Sequence, residues 1–195
     1  PDYSSAASDV YKRQKICIIL RPGVVERSGE ASNLKVDISK FFDKTYTLEQ
    51  GYVEGGDILR INNHFIIGIS GRTNETGAKN LSNIIEKNGG TSEIAITPEN
   101  TLHFKSECSL LDEETILATD NLIKSDFFNK KYRIIKVPKG EETGANCLRI
   151  NEHLLIPKGY DRLLDLVSKD YKIRVLDVTE MEKVDAGLSC LSLRW

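Results

Sequence analysis

Apolar positions along this chain come in short bursts separated by polar turns. The run Ile16–Leu20 is continuously apolar and closes on Arg21-Pro22-Gly23, which predicts a buried strand. From Gly29 to Phe42 the residues Leu34, Ile38, Phe41 and Phe42 recur at helical spacing, and Thr45–Leu48 reads as a strand. Ile58–Ile61 and Phe65–Ile69 flank Asn62-Asn63, the pattern of a β-hairpin. A helix is predicted from about Glu75 to Glu86, stopped by Gly89-Gly90. Further strands are predicted at Glu93–Thr97, Phe104–Leu110, Thr115–Ala118 and Tyr132–Val137, with a short helix around Asn121–Phe128. Beyond the polar loop Pro138–Gly144 come strands Cys147–Ile150 and His153–Ile156, a helix Asp161–Val167 and a strand Ile173–Val178. The tail from Val184 to Trp195 alternates, approaches through Asp185-Ala186-Gly187, and predicts a terminal strand that presents Cys190.

These elements recur in modules of roughly 50 residues, a period that points to a repeat architecture. Asn62-Asn63-His64-Phe65-Ile66-Ile67 in one module is echoed by Asn151-Glu152-His153-Leu154-Leu155-Ile156 in another. Modules too small to bury their own sheets suit a radial arrangement, and the hairpins argue against a doubly wound parallel sheet. Residues 1–14 lack apolar periodicity and read as a non-native or disordered leader, with residues 15–195 as one domain.

A chain of 195 residues with a net charge of −2 has no basic field for nucleic acid or an anionic membrane, and no apolar run approaches a membrane span. Cys17, Cys108, Cys147 and Cys190 lie far apart, match no metal or CxxC spacing, and suit reduced thiols in a cytoplasmic protein, three of them in the core. No metal or nucleotide motif occurs, so the expectation is an activity without metal or cofactor.

The chemistry narrows to Cys190, His103 and Glu54. A thiol becomes a nucleophile beside a base or cation, and a histidine oriented by a carboxylate can protonate a leaving group. His103 sits between apolar residues, whereas His64 and His153 lie beside hairpin turns and are expected to face solvent. Read on residue types alone, a packed strand histidine is the commoner outcome for a residue such as His103. Arg27 and Arg72 flank glycine-bearing turns where a guanidinium can fork onto a carboxylate, although solvated loop arginines share that pattern.

Glu54-Gly55-Gly56-Asp57, Ser70-Gly71-Arg72-Thr73-Asn74, Leu102-His103-Phe104-Lys105-Ser106, Ala145-Asn146-Cys147 and Leu188-Ser189-Cys190-Leu191-Ser192 occur in that order. Together they resemble the dimethylarginine dimethylaminohydrolases, relatives of arginine deiminases and amidinotransferases in the guanidino-group-modifying superfamily. The resemblance spans Lys15 to Trp195 and implies an α/β propeller (pentein) of ββαβ pseudo-repeats, incomplete at the N-terminus. It implies Cys190 as nucleophile, His103 as general acid and base, and Glu54 as the acid that positions the histidine. Arg27 would contact the substrate, Arg72 its α-carboxylate, and the Val184 backbone the substrate as well. Arginine deiminases carry His-x-Asp where this chain has His103-Phe104-Lys105, as the dimethylarginine enzymes do.

The family's acidic segment, which grips the guanidinium, is matched only by Asp2; Ala7 and Ser8 stand where Glu and Asp are expected. The implied activity is hydrolysis of Nω-methylated arginine to citrulline and a methylamine, and that loss is expected to leave this chain nearly inactive. The implied partner is a small-molecule substrate, with no nucleic acid and no membrane; a homodimer is compatible with the sequence. An arginine deiminase-like hydrolase and an inactive fragment or binding module are the alternatives. Apolar surface is expected beside Ile16–Leu20 and beside the C-terminal strand.

Overall fold

The computed structural model describes residues 15–24, 27, 29, 35–125, 127, 128, 131–184 and 186–190. Three modules repeat one plan: an antiparallel hairpin, a helix, and a third strand parallel to the second. In the first, β3 (Ile58–Ile61) pairs with β4 (His64–Ile69), α1 (Glu75–Lys87) crosses over, and β5 (Thr91–Ile96) returns beside β4. The second uses β6 (Cys108–Leu110), β7 (Thr115–Ala118), α2 (Asp120–Lys124) and β8 (Arg133–Lys136). The third uses β9 (Leu148–Ile150), β10 (His153–Pro157), α3 (Asp161–Val167) and β11 (Lys172–Leu176), before a short helix α4 (Thr179–Glu182). Ahead of them, β1 (Ile16–Ile19) and β2 (Lys44–Thr47) pair in parallel. This is an α/β propeller of ββαβ pseudo-repeats.

The repeat is literal at the hairpin turns. Asn62 and Asn151 both adopt the left-handed backbone, at φ 55° and 54°, which asparagine tolerates better than most residues. Each turn is braced alike: Arg60 Nε donates to the Asn62 carbonyl and Arg149 Nε to the Asn151 carbonyl, both at 2.9 Å. The similarity between the two modules that the sequence suggests is therefore a shared turn with a shared arginine brace.

No module closes its own core; the cores form between modules. Leu59, Ile61 and Ile66 of the first module pack with Cys108, Ile116 and Leu122 of the second. Leu111 and Leu117 of the second pack with Leu154, Ile156 and Leu163 of the third. Phe104, fully buried, joins an aromatic group with Phe127 and Phe128 and so anchors the loop beside His103. Helix α1 is capped by Asn74, whose Oδ1 accepts from Gly77 N at 2.8 Å. Gly77 lies so close to Tyr52 that a Cβ there would stand 2.3 Å from the Tyr52 carbonyl oxygen. That contact fixes the loop before Glu54.

The structure departs from the sequence reading at several points. Phe104–Leu110 is not one strand: Phe104–Ser106 forms a 3₁₀ turn before β6, because buried Asp57 takes the Phe104 N–H and Ser106 N bonds back to the His103 carbonyl. Residues 188–190 form a turn rather than a strand, with Cys190 N donating to Gly187 O at 3.0 Å; residues 191–195 lie outside the described set. Of the four thiols, Cys108 and Cys147 are buried, Cys17 is half-buried and Cys190 is exposed. Beside the first strand lies a cavity of about 880 Å³, lined by Ile16, Ile18, Leu20, Ile58, Phe65 and Ile84 and also by the charged Lys15, Lys44, Arg60 and Lys87.

Candidate active site

Glu54 precedes a 3₁₀ turn, Gly55–Asp57, that leads into β3. With three residues per turn in such a helix, side chains three apart eclipse. Glu54 and Asp57 therefore rise on one side, and His103 stands between them. Its Nε2 lies 3.5 Å from Glu54 Oε2, and its Nδ1 lies 3.3 Å from Asp57 Oδ2. Both acids are sequestered: Glu54 is 5% exposed and Asp57 0%. Gly56 lies under the imidazole, where a Cβ would meet Cγ at 2.5 Å.

Asp57 is the most fully bonded group in the cluster. Its carboxylate accepts from Ser70 Oγ at 2.8 Å, Thr73 Oγ1 at 2.7 Å and Phe104 N at 2.8 Å, besides facing His103. Burial pushes its pKa up, but the hydrogen bonds from His103, Thr73, Phe104 and Ser70 outweigh it and hold the carboxyl below 3.8. A group whose folded pKa is depressed stabilises the fold above its unfolded value, and that contribution disappears as pH falls through the folded value. The urea midpoint should therefore drop as pH falls below about 4. Asp57→Asn should be less stable than wild type at neutral pH and lose less across that acid range, as measured by urea titrations at each pH.

Glu54 is the hub for the arginines. Arg27 Nη1 lies 3.1 Å from Oε2, and Arg72 Nη1 lies 3.6 Å from Oε1. Oε1 is buried and accepts no hydrogen bond among the described residues. The backbone of the loop is tied in by Glu54 N, which donates to Thr73 Oγ1 at 3.1 Å.

Cys190 comes to this region from the third module. Asn146 Oδ1 accepts from Ser189 N at 3.0 Å, and Gly187 packs so closely on the Asn146 side chain that a Cβ would stand 2.7 Å from it. This fixes the turn that carries the thiol. The link to the histidine runs through Lys105, two residues after His103. Burial lowers the Lys105 pKa, and its electrostatic interactions with Cys190, Cys108 and Asp57 act in the opposite direction. No hydrogen bond joins Cys190 to His103 among the described residues.

The arginine deiminase family model matches residues 34–155. The N(G),N(G)-dimethylarginine dimethylaminohydrolase of Pseudomonas aeruginosa is 33% identical over 198 residues, covering all of this chain and 77% of that protein. The chain belongs to the dimethylarginine dimethylaminohydrolase family. A crystal structure of the Pseudomonas enzyme, a Cys-to-Ser variant with citrulline bound, superposes with a TM-score of 0.86 at 33% identity, covering 95% of this chain and 76% of that one. An inosamine-phosphate amidinotransferase from Streptomyces griseus shares the fold at a TM-score of 0.73 and 15% identity, covering 90% and 62%.

Among the residues singled out from the sequence of this dimethylarginine dimethylaminohydrolase homologue, Glu54, His103, Arg27 and Arg72 form one cluster. Cys190 makes no hydrogen bond to this cluster among the described residues, and its connection to it is an electrostatic interaction with Lys105. Val184 is 71% exposed on a turn whose N–H donates to Met181 O. Asp2 lies outside the described residues. His64 and His153 are half-buried rather than solvent-facing, and His64 Nδ1 is 2.8 Å from Thr91 Oγ1. Asp57 and Lys105 carry no assigned role in the sequence reading, although the three-residue spacing from Glu54 to Asp57 was a usable signal. The described residues include no cluster of histidines, cysteines and acids suited to a metal ion, and no helix long and apolar enough to cross a membrane.

Proposed function

We propose that this chain hydrolyses Nω-methylated arginine to citrulline and a methylamine, with Cys190 as nucleophile and His103 as proton carrier. The observation that carries the reading is the His103 ring held between two buried carboxylates, Glu54 and Asp57. The Cys190 thiolate attacks the guanidinium carbon, and the tetrahedral adduct expels methylamine or dimethylamine as His103 gives it a proton. The resulting S-alkylthiouronium is attacked by water, which passes a proton to the ring. Collapse then releases citrulline and restores the thiol.

Glu54 positions the imidazole, and its Oε1, which accepts no hydrogen bond among the described residues, offers an acceptor for the cationic guanidinium. Arg72 meets Glu54 at 3.6 Å without a hydrogen bond and is 35% exposed, so it can turn to the α-carboxylate of the substrate. Arg27, 47% exposed, supports the same end, and the Val184 backbone lies on the segment that leads to the nucleophile. Lys105 stands where the arginine deiminases carry an Asp, so this position lacks the carboxylate that would grip an unsubstituted guanidinium.

The test is a single-turnover incubation with enzyme in excess over asymmetric dimethylarginine, monomethylarginine or arginine. Citrulline and dimethylamine should appear in equal amounts from the dimethylated substrate, faster than citrulline and ammonia from arginine. Faster reaction of arginine would favour the deiminase alternative, and no citrulline from any of the three would overturn the reading.

A further inference from the structure

We infer that Asp57 is a positioning residue that fixes the hydrogen of His103 on Nδ1, leaving Nε2 as the nitrogen that exchanges protons with the substrate. This rests on the proposal that His103 is the proton carrier. An ionised carboxylate can only accept a hydrogen bond, so the 3.3 Å contact to Nδ1 requires the hydrogen to lie on that nitrogen. Asp57 has no freedom to turn away. Its Oδ1 is held by Phe104 N, and its Oδ2 by Ser70 and Thr73, all at 2.7–2.8 Å. Phe104 follows His103 directly, so the same carboxyl group fixes the backbone and the ring of the histidine.

The two acids divide the work. Asp57 is completely buried behind the ring, whereas Glu54 faces Nε2 at 3.5 Å, a weaker contact on the side where the two arginines converge. Only Nε2 has a contact loose enough for a substrate nitrogen to replace. The charged groups around the ring are Glu54, Asp57, Lys105 and the two arginines, and of the acids only Asp57 reaches Nδ1. A histidine locked in one tautomer pays no reorientation at the moment of proton transfer, a contribution of the order of the 100- to 10,000-fold that positioned acid–base groups supply.

The experiment is a long-range proton–nitrogen NMR correlation on the uniformly ¹⁵N-labelled chain. With only three histidines, His64→Gln and His153→Gln assign the spectrum. The inference expects a hydrogen on Nδ1 of His103 in the wild type. A neutral ring with Nδ1 bare and the hydrogen on Nε2 would overturn it, and this reading needs no variant of Asp57 to fold. Where Asp57→Asn does fold, its amide can donate to Nδ1, and the tautomer should invert. The single-turnover rate should then fall about 100-fold or more, with an altered pH profile and little change in the substrate concentration for half-saturation. An unchanged tautomer or an unchanged profile would count against Asp57. The two readings fail separately: full citrulline formation in His103→Gln would remove the proton-carrier proposal, whereas a bare Nδ1 with an inactive His103→Gln would remove the role of Asp57 alone.

Discussion

Cys190→Ser is expected to take citrulline formation down to background, a loss on the order of 10⁴-fold or more for removal of a covalent nucleophile. No other thiol in the chain can replace it. Burial pushes Cys147 up to about 12 and Cys108 further still, and it raises Cys17 as well. Cys108 also donates to the Phe104 carbonyl and Cys147 to the Gly144 carbonyl, so both face their own backbone. Only Cys190 is exposed. Serine is close to cysteine in shape, and the Asn146 contact that holds the turn is made by the Ser189 backbone. Stability should therefore stay within about 0.5 kcal/mol of wild type. Single-turnover rates and urea midpoints on the same preparations check both halves. Activity retained by the serine variant would move the nucleophile elsewhere.

Gly56→Ala should also have a large effect, and it separates catalysis from folding. The added methyl would stand 2.5 Å from His103 Cγ and 2.9 Å from Nδ1, so the ring must move off its carboxylates. The backbone at Gly56 is not in the left-handed region, and the chain itself can accept alanine. A displacement of about 1 Å in a catalytic group costs on the order of 100-fold, whereas overpacking a site at this size costs roughly 1–3 kcal/mol. The neighbouring Gly55 is the matched control, because a Cβ there meets nothing within 4 Å. Gly55→Ala should leave the rate near wild type. Equal rates for the two variants would mean that the position of His103 does not limit turnover.

The hairpins were legible because their signal is local: apolar alternation on both sides of Asn62 and Asn151, with an asparagine able to take the left-handed turn. The two elements misread from the sequence are governed by contacts distant in the chain. Phe104–Ser106 bends into a turn because a carboxylate 47 residues earlier takes the Phe104 N–H. The Cys190 segment turns rather than extends because Asn146, 43 residues before Ser189, holds its backbone. Alternation reports a propensity for strand, but it carries no information about such a partner.

The site divides along the same line. Cys190, His103, Glu54 and Arg72 were visible as residue types in ordered motifs. Asp57 was in plain view in Glu54-Gly55-Gly56-Asp57, yet it read as part of a turn because its value comes from Ser70, Thr73 and Phe104 converging on it. Lys105 marked the branch of the superfamily in the sequence, but the burial that lowers its pKa was not legible there.

The central claim is that Cys190, His103 and Glu54 act together on a guanidinium carbon. The most direct measurement is covalent labelling with a haloamidine, which mimics the guanidinium and alkylates an activated thiol, followed by peptide mass spectrometry. The account predicts one adduct, on the peptide carrying Cys190, formed more slowly in His103→Gln and Glu54→Gln and suppressed by added dimethylarginine. Labelling spread over Cys17 and Cys190 alike, or an adduct on Cys190 that neither dimethylarginine nor the His103 and Glu54 variants affect, would contradict it.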